Sequence, residues 1–194
     1  MALINYFLKE ITFKIVYYGP AMSGKTTNLR YIYNHLPEKL KGKFTSNATK
    51  DERTLFFDFL PLDLGRIKGF TVKLSLYTVP GQAIYSLTRK TILKATDGII
   101  FVADSQRYVR EKNIESFRDM AENLKEFGLS IEKIPIVLQY NKRDLRDILS
   151  VEELNNDLNE GGTLYPYFES IAIEGKGVME CLKAISKLVI RKVS

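Results

Sequence analysis

A glycine-bounded loop directly after an apolar stretch is the feature that most constrains this chain. Residues 11–18 form an apolar run that predicts a strand, and residues 19–26 read Gly-Pro-Ala-Met-Ser-Gly-Lys-Thr. After the loop, Leu29, Ile32 and Leu36 recur with the period of a helix. Glycines let such a loop curl so that its amides point inward, while the following helix offers its positive N-terminal end. The pattern therefore predicts a phosphate-binding loop.

Particular residues of this loop have the chemistry that nucleotide phosphates require. The Lys25 ammonium would reach the terminal phosphates, and the Thr26 hydroxyl is suited to Mg²⁺. The alternative is a glycine-rich turn without a ligand, which the strand before the loop and the helix after it disfavour. The predicted phosphate-binding residues are Gly19, Ala21, Met22, Ser23, Gly24, Lys25, Thr26 and Thr27.

A second motif follows a later apolar run, at residues 141–144, and predicts a guanine-reading loop. The Asp144 carboxylate can accept hydrogen bonds from guanine N1–H and the 2-amino group, a donor pair that adenine lacks. Asn141 can bridge the base edge to the phosphate loop, and the aliphatic stem of Lys142 can cover the ring face. A polar turn that caps a helix is the alternative interpretation.

Strand-like and helix-like segments alternate along the whole chain, which predicts a three-layer α/β domain with a mostly parallel six-stranded sheet and helices on both faces. Ligands of such sheets bind at the carboxyl ends of the strands. No linker-like stretch interrupts residues 1–194, so we expect a single domain. Strands are predicted near 11–18, 54–60, 71–78, 98–103, 134–140 and 167–172, and helices near 25–36, 84–94, 110–127, 151–158 and 176–192.

Composition excludes several other classes of protein. Apolar residues make up 45% of the chain and charged residues 27%, which is typical of globular domains. The net charge of +6 is dispersed, so we expect no nucleic-acid partner. The single cysteine, Cys181, predicts a buried inert thiol in a reducing compartment. No apolar stretch is long enough to span a membrane, Ala2 stands where myristoylation needs glycine, and the C-terminal residues include no prenylation cysteine. We therefore expect a cytoplasmic monomer with no direct membrane anchor.

With both motifs established, the chain resembles the Ras-like small GTPases, and within them the bacterial MglA family of gliding motility and cell polarity. The resemblance covers nearly the whole chain and is carried by residues 14–20, 51–62, 76–82 and 141–144. Its most specific marks are the aromatic segment that follows Arg53 and Thr54, and Thr78, where most small GTPases have the aspartate of a DxxG motif. The resemblance implies the P-loop fold of a small GTPase, called a G domain, with GTP/GDP and Mg²⁺ as cofactors.

The resemblance also implies roles for matched residues near the γ-phosphate. Thr54 would close over Mg²⁺, Gly81 would offer its amide to the phosphate, and Gln82 would orient the attacking water. Arg53 would act as an arginine finger from within the chain. The alternatives are a surface charge for Arg53 and a solvated loop residue for Gln82. Ala172 would lie in the third base-contacting loop, with its amide near guanine O6.

Two departures from the family pattern bear on chemistry. The Thr78 hydroxyl could hold a metal-bound water more weakly than an aspartate, so we expect metal retention to depend on Thr26, Thr54 and the phosphates. Ala21 stands where most of these GTPases have glycine, and its methyl group would face the γ-phosphate near Gln82. We therefore expect slow hydrolysis.

The predicted function is a GTPase switch, and the family resemblance implies an MglB-like roadblock/LC7 dimer as its activator and polarity or motility effectors that bind its GTP state. The apolar segment 55–60 would pack one face inside and offer the other for docking, or be buried on both faces. A GTP-bound interaction module with very weak hydrolysis remains an alternative, as does an ATP-using P-loop enzyme.

Overall fold

A computed structural model describes residues 2–48, 54–81, 85–159 and 164–192, with the backbone alone at 47–48 and 54–56. In these ranges, strands and helices alternate as the sequence predicts. The strands are β1 (Leu3–Asn5), β2 (Glu10–Tyr18), β3 (Thr45–Ala48), β4 (Thr54–Ile67), β5 (Phe70–Thr78), β6 (Gly98–Asp104), β7 (Ile136–Asn141) and β8 (Tyr167–Glu169). The helices are α1 (Lys25–His35), α2 (Ser86–Leu93), α3 (Arg110–Glu126), α4 (Val151–Leu158) and α5 (Val178–Arg191), with 3₁₀ turns at Glu38–Leu40 and Arg107–Val109.

The strands form one mixed sheet with the order β3-β4-β5-β2-β6-β7-β8, and β1 pairs with β2 outside that path. Pairings from β5 through β8 are parallel, whereas β1, β3 and β4 are antiparallel to their neighbours. The described sheet thus has eight strands and not the six predicted. The additional strands, β1 and β3, have three and four residues, too few for an alternating pattern to indicate a strand.

Two apolar layers cover the faces of the sheet, which confirms the predicted α/β class. One layer joins α1 and α5 to the sheet through residues such as Leu29 and Ile185. The other joins α3 and α4 through residues such as Phe117 and Leu154. Each central strand therefore sends side chains to both layers, and all seven residues of β6 are buried.

The apolar segment 55–60 lies in β4, which is longer than predicted. β3 pairs with it on one side and β5 on the other, so this part of β4 is not a free edge. Leu60 is fully buried, whereas Phe59 is half-buried and lies 4.8 Å from the Tyr77 ring. One face of the segment packs inside, as the sequence indicates.

The last helix, α5, has an apolar face and a basic face. Val178 and Ile185 are buried, and Lys183 and Lys187 are exposed on the opposite face. Cys181 is a free, fully buried thiol, and burial raises its pKa far above the ordinary value. None of the helices in the described ranges has the length and apolarity needed to cross a membrane.

Candidate nucleotide-binding site

The predicted phosphate loop joins the carboxyl end of β2 to the start of α1, and its two glycines are required by geometry. Gly19 has φ +141°, and a Cβ there would come within 2.2 Å of the Val102 carbonyl oxygen. Gly24 has φ +102°, and a Cβ there would meet the Asn141 amide nitrogen at 2.2 Å. Both positions combine a left-handed backbone with close contact, so any larger residue would push the loop away from β6 and β7.

Helix α1 begins at the loop, and its N-terminal end faces the loop residues. In the described structure no side chain of the N-cap residue caps the helix, and its first turn contains no acidic residue. The positive end of the helix dipole would therefore attract an anion at this position. Residues Lys25, Thr26 and Thr27 form this first turn, as the sequence predicts.

The Lys25 ammonium is buried beside the loop backbone. It donates hydrogen bonds to the carbonyl oxygens of Gly19 at 2.8 Å and Pro20 at 2.6 Å. Burial lowers the pKa of Lys25 to about 7, Asp58 acts in the opposite direction, and Arg89 lowers it further. The amine thus lies in a position where an added phosphate charge would stabilise its protonated form.

Asp58 is an acidic residue at this site that sequence reasoning did not identify. Its side chain is fully buried, and its carboxylate accepts hydrogen bonds from Thr26 at 2.6 Å and Thr78 at 2.7 Å, as well as from Ser46. The Asp58 amide in turn donates to the Thr78 hydroxyl at 2.8 Å. The Thr78 side chain therefore holds Asp58, and Asp58 brings a negative charge to the helix residue expected to bind the metal.

The donor set around Thr26 fits Mg²⁺. This ion prefers oxygen ligands, keeps several waters, and is usually bound through one or two carboxylates together with substrate phosphates. Thr26 and Asp58 supply a hydroxyl and a carboxylate in contact. No group of three or more His, Cys, Asp or Glu side chains with metal-binding geometry occurs in the described part of the chain, so phosphates and waters would complete the coordination.

Gly81 lies directly against the phosphate loop. A Cβ at this position would come within 2.4 Å of the Ala21 backbone and 2.7 Å of the Pro20 carbonyl carbon. Ala21 itself is exposed, as is Met22, which has φ 63° in the left-handed region. Gly81 is thus packed against the phosphate loop without space for a side chain between them.

A polar network connects the start of this loop to two helices. The buried Tyr18 hydroxyl, one residue before the loop, donates to Asp119 of α3 and accepts from Asn123 at 3.3 Å. Asp119 also forms an ion pair with Arg89 of α2, at 3.3 Å. Burial, and after it the hydrogen bond to Asp119, raises the pKa of Tyr18 far above its ordinary value. Helix α2 is therefore linked through Asp119 to the residue that precedes Gly19.

Asn141 connects the phosphate loop to the predicted base-reading loops. Its amide nitrogen donates to the Ser23 carbonyl at 2.8 Å. Its oxygen accepts from the Ala172 amide at 2.9 Å and the Ser170 hydroxyl at 3.1 Å. This buried side chain brings together three segments that are distant in sequence, as expected for a site at the carboxyl ends of parallel strands.

Lys142 and Asp144 follow in the same loop. Lys142 has φ 67°, and its ammonium is 2.6 Å from the carboxylate of Asp104, which ends β6 and is buried. This ion pair fixes the lysine stem, the part predicted to cover the base. Asp144 is exposed to solvent.

Other predicted residues are only partly described or not described. Arg53 and Gln82, the predicted catalytic residues, lie outside the described ranges. Thr54 begins β4, but its side chain is not described. Sequence reasoning missed Asp58 and Asp104. For Asp58 a signal existed, because it is the only charged residue of the apolar segment 55–60 and therefore needs a polar partner.

Comparison with known proteins assigns the family. Residues 1–189 match the ADP-ribosylation factor family. The chain is 51% identical over 193 residues to the mutual gliding-motility protein MglA of Myxococcus xanthus, which covers 100% of this chain and 98% of that protein. It is 28% identical over 187 residues to human ADP-ribosylation factor-like protein 4A, with 93% of this chain and 85% of that protein covered.

The chain therefore belongs to the ADP-ribosylation factor family of small GTPases, a class that binds GTP and GDP and hydrolyses GTP. Within this class it is an MglA-type protein, as the full-length similarity shows. The predicted resemblance is thereby confirmed.

Proposed function

We propose that this protein is a GTP-operated switch in which one pocket binds the phosphates and selects guanine. The observation that carries the proposal is the position of Asn141, whose amide contacts Ser23 of the phosphate loop while its oxygen contacts Ala172 of the third loop. This arrangement sets the distance between the phosphate cradle and the loop that carries Asp144. A single nucleotide could thus place its base against the Asp144 carboxylate while its phosphates reach Lys25.

Metal retention in this proposal depends on Thr26 and Asp58. Mg²⁺, when bound, would neutralise charge on the phosphates and help fix their orientation. The Thr26 hydroxyl would be a direct ligand, and Asp58 would accept a hydrogen bond from metal-bound water. Thr78 remains a predicted contact to that water, and its hydroxyl also forms the two hydrogen bonds with Asp58 described above.

Hydrolysis in this proposal uses the residues assigned by resemblance. Gln82 would orient the attacking water, Arg53 would stabilise charge on the transferring phosphate, and Thr54 would close over the metal. The contact between Gly81 and the phosphate loop supports coupling between the phosphate site and the segment after β5. Removing the γ-phosphate would release these segments, which is the ordinary basis of a GTPase switch.

We further propose that the biological role is in gliding motility or cell polarity, on the basis of the name and 51% identity of the Myxococcus relative. An MglB-like roadblock/LC7 dimer would be the activator, and effectors would bind the GTP state. We expect the intrinsic hydrolysis rate to be slow. A GTP-bound module with very weak hydrolysis is the alternative that Ala21 and Thr78 suggest.

Equilibrium titration and phosphate release together test the proposal. The purified protein should bind GTP much more tightly than ATP, release phosphate slowly alone, and release it faster with the MglB-like dimer. Phosphate release that remains flat with and without the dimer would favour the interaction module. Equal affinity for ATP and GTP would contradict the proposed pocket.

Ala21 gives a prediction about rate. Ala21→Gly should raise single-turnover GTP hydrolysis by about 3- to 10-fold, because it removes a methyl group expected beside the γ-phosphate where Gln82 must act. The measurement is quenched-flow phosphate release from preloaded protein with GDP affinity monitored in parallel. Ala95→Gly is the matched control, since it makes the same substitution at an exposed position outside the phosphate loop, and its rate should be that of the wild type. An unchanged rate in Ala21→Gly would refute the steric explanation.

A further inference from the structure

We propose that residues Tyr6, Phe7 and Leu8, here called the hairpin tip, dock onto an anionic lipid bilayer. These residues form the turn between β1 and β2, at the amino end of β2 and thus at the opposite end of that strand from the phosphate loop. Their exposed fractions are 74%, 95% and 57%. Three consecutive exposed apolar side chains form an unusual patch on a soluble domain and indicate a contact surface.

Hydrogen bonds and a ring contact hold the hairpin tip in its exposed position. The Leu8 amide donates to the Asn5 side chain at 3.0 Å, which fixes the turn. The Thr71 amide donates to the Lys9 carbonyl at 2.8 Å, which ties the hairpin to β5. The Tyr6 ring also meets Phe70 edge-on at 6.2 Å between centroids. A tip fixed in this way loses little conformational freedom on docking.

Basic residues surround the tip. Lys9 is exposed at its base, and Lys68 is exposed in the turn between β4 and β5, where it lines the same groove as Tyr6. Arg66 is also exposed and pairs with Thr71, the residue bonded to Lys9. The nearest acidic side chain along the hairpin, Glu10, forms an ion pair with Lys73 at 2.6 Å. The local charge thus complements an anionic surface.

The combination of apolar and basic residues favours a bilayer over a protein as the occupant. The tip has three exposed apolar side chains with exposed basic residues beside them, a combination that suits the headgroup region, where lysines contact lipid phosphates. This contact would be reversible and dependent on both apolar burial and charge.

The chain contains no tryptophan, so a single introduced indole is a specific reporter. Purified full-length Phe7→Trp protein with bound GDP should show a blue shift and increased emission with vesicles of phosphatidylcholine containing about 30% phosphatidylserine. Tyr108→Trp is the matched control, because Tyr108 is an aromatic residue with 74% exposure just beyond the carboxyl end of β6. Its emission should not change.

Two variant pairs separate the contributions to binding in vesicle sedimentation. Phe7→Ser with Leu8→Ser should weaken binding to anionic vesicles at least about tenfold. Lys9→Glu with Lys68→Glu should also weaken it at least about tenfold, and raised salt should weaken the wild-type protein. GDP affinity should remain unchanged in all of them, which controls for folding.

The proposal is overturned if emission from Phe7→Trp is the same with and without anionic vesicles, a result that would make the tip a contact for a protein partner. It is also overturned if the serine variants sediment as well as the wild type. These measurements use bound GDP and vesicles only. Their outcome therefore does not depend on whether the protein hydrolyses GTP at an appreciable rate.

Discussion

Asp58→Asn is expected to speed GDP release about 10- to 100-fold in the presence of Mg²⁺, equivalent to about 1.4–2.7 kcal/mol of lost retention. The buried carboxylate is in contact with Thr26, and the substitution removes its charge while keeping its shape. Hydroxyls can rotate to suit an amide, so we expect the fold to survive. Release of a fluorescent GDP analogue, measured with Mg²⁺ and with EDTA, provides the readout.

The control for this prediction is Asp63→Asn on the same strand. Asp63 accepts a hydrogen bond from the Gly65 amide at 2.7 Å and pairs in register with Lys73, away from the phosphate loop. It should release GDP as the wild type does. If Asp58→Asn retains both the wild-type release rate and the wild-type response to EDTA, the proposed role of the carboxylate is refuted.

A compensating double variant makes the test more specific. Asp58→Thr combined with Thr78→Asp moves the carboxylate to the neighbouring strand, to the position where most small GTPases have it. We expect the double variant to recover part of the Mg²⁺-dependent retention that Asp58→Thr loses alone. If Asp58 had a purely structural role, the double variant should show no such recovery, because exchanging the two side chains would not restore the original hydrogen bonds.

Asp144→Asn is expected to lower GTP affinity by at least about 100-fold and to raise affinity for xanthosine triphosphate. Guanine presents two donors to this residue, and an asparagine amide would place a donor against them. Xanthine has a carbonyl oxygen in place of the 2-amino group and would accept that hydrogen bond. Competition against a fluorescent GDP analogue measures both affinities.

Asp147→Asn is the matched control for the base preference. Asp147 lies in the same loop, is exposed, and is 3.5 Å from Arg107, so the same substitution there changes charge without contact to the base. Its nucleotide preference should be that of the wild type. If the preference of Asp144→Asn also stays with guanine, the assignment of the base-reading loop is contradicted and an adenine-using enzyme becomes the better hypothesis.

Much of the fold and part of the site could be predicted because the signals are local. The glycines of the phosphate loop are recognisable in the sequence. In the structure, the backbone conformations and contacts of Gly19 and Gly24 exclude a Cβ. The long strands and helices show their periods over many residues. Short strands such as β1 give no such signal, because three residues cannot establish an alternation.

Asp58 shows why the rest of the site could not be predicted. Its proximity to Thr26 depends on the antiparallel register of β4 with β5, where Phe59 lies opposite Tyr77. A shift of one residue would turn the carboxylate to the other face of the sheet. The sequence motif shows that Thr78 stands where most small GTPases have an aspartate, but it does not indicate that Asp58 on the adjacent strand lies against Thr26.

The sequence by itself determined the small-GTPase class and the order of the elements, since the glycines and lysine of the phosphate loop and the periods of the long strands and helices are local signals. Tertiary structure alone decided which carboxylate meets the helix hydroxyl, how Asn141 joins three segments, and which apolar side chains remain outside. These properties depend on the register and pairing of strands far apart in the chain. Such pairings are set by the packing of the whole sheet and have no counterpart in any short stretch of sequence.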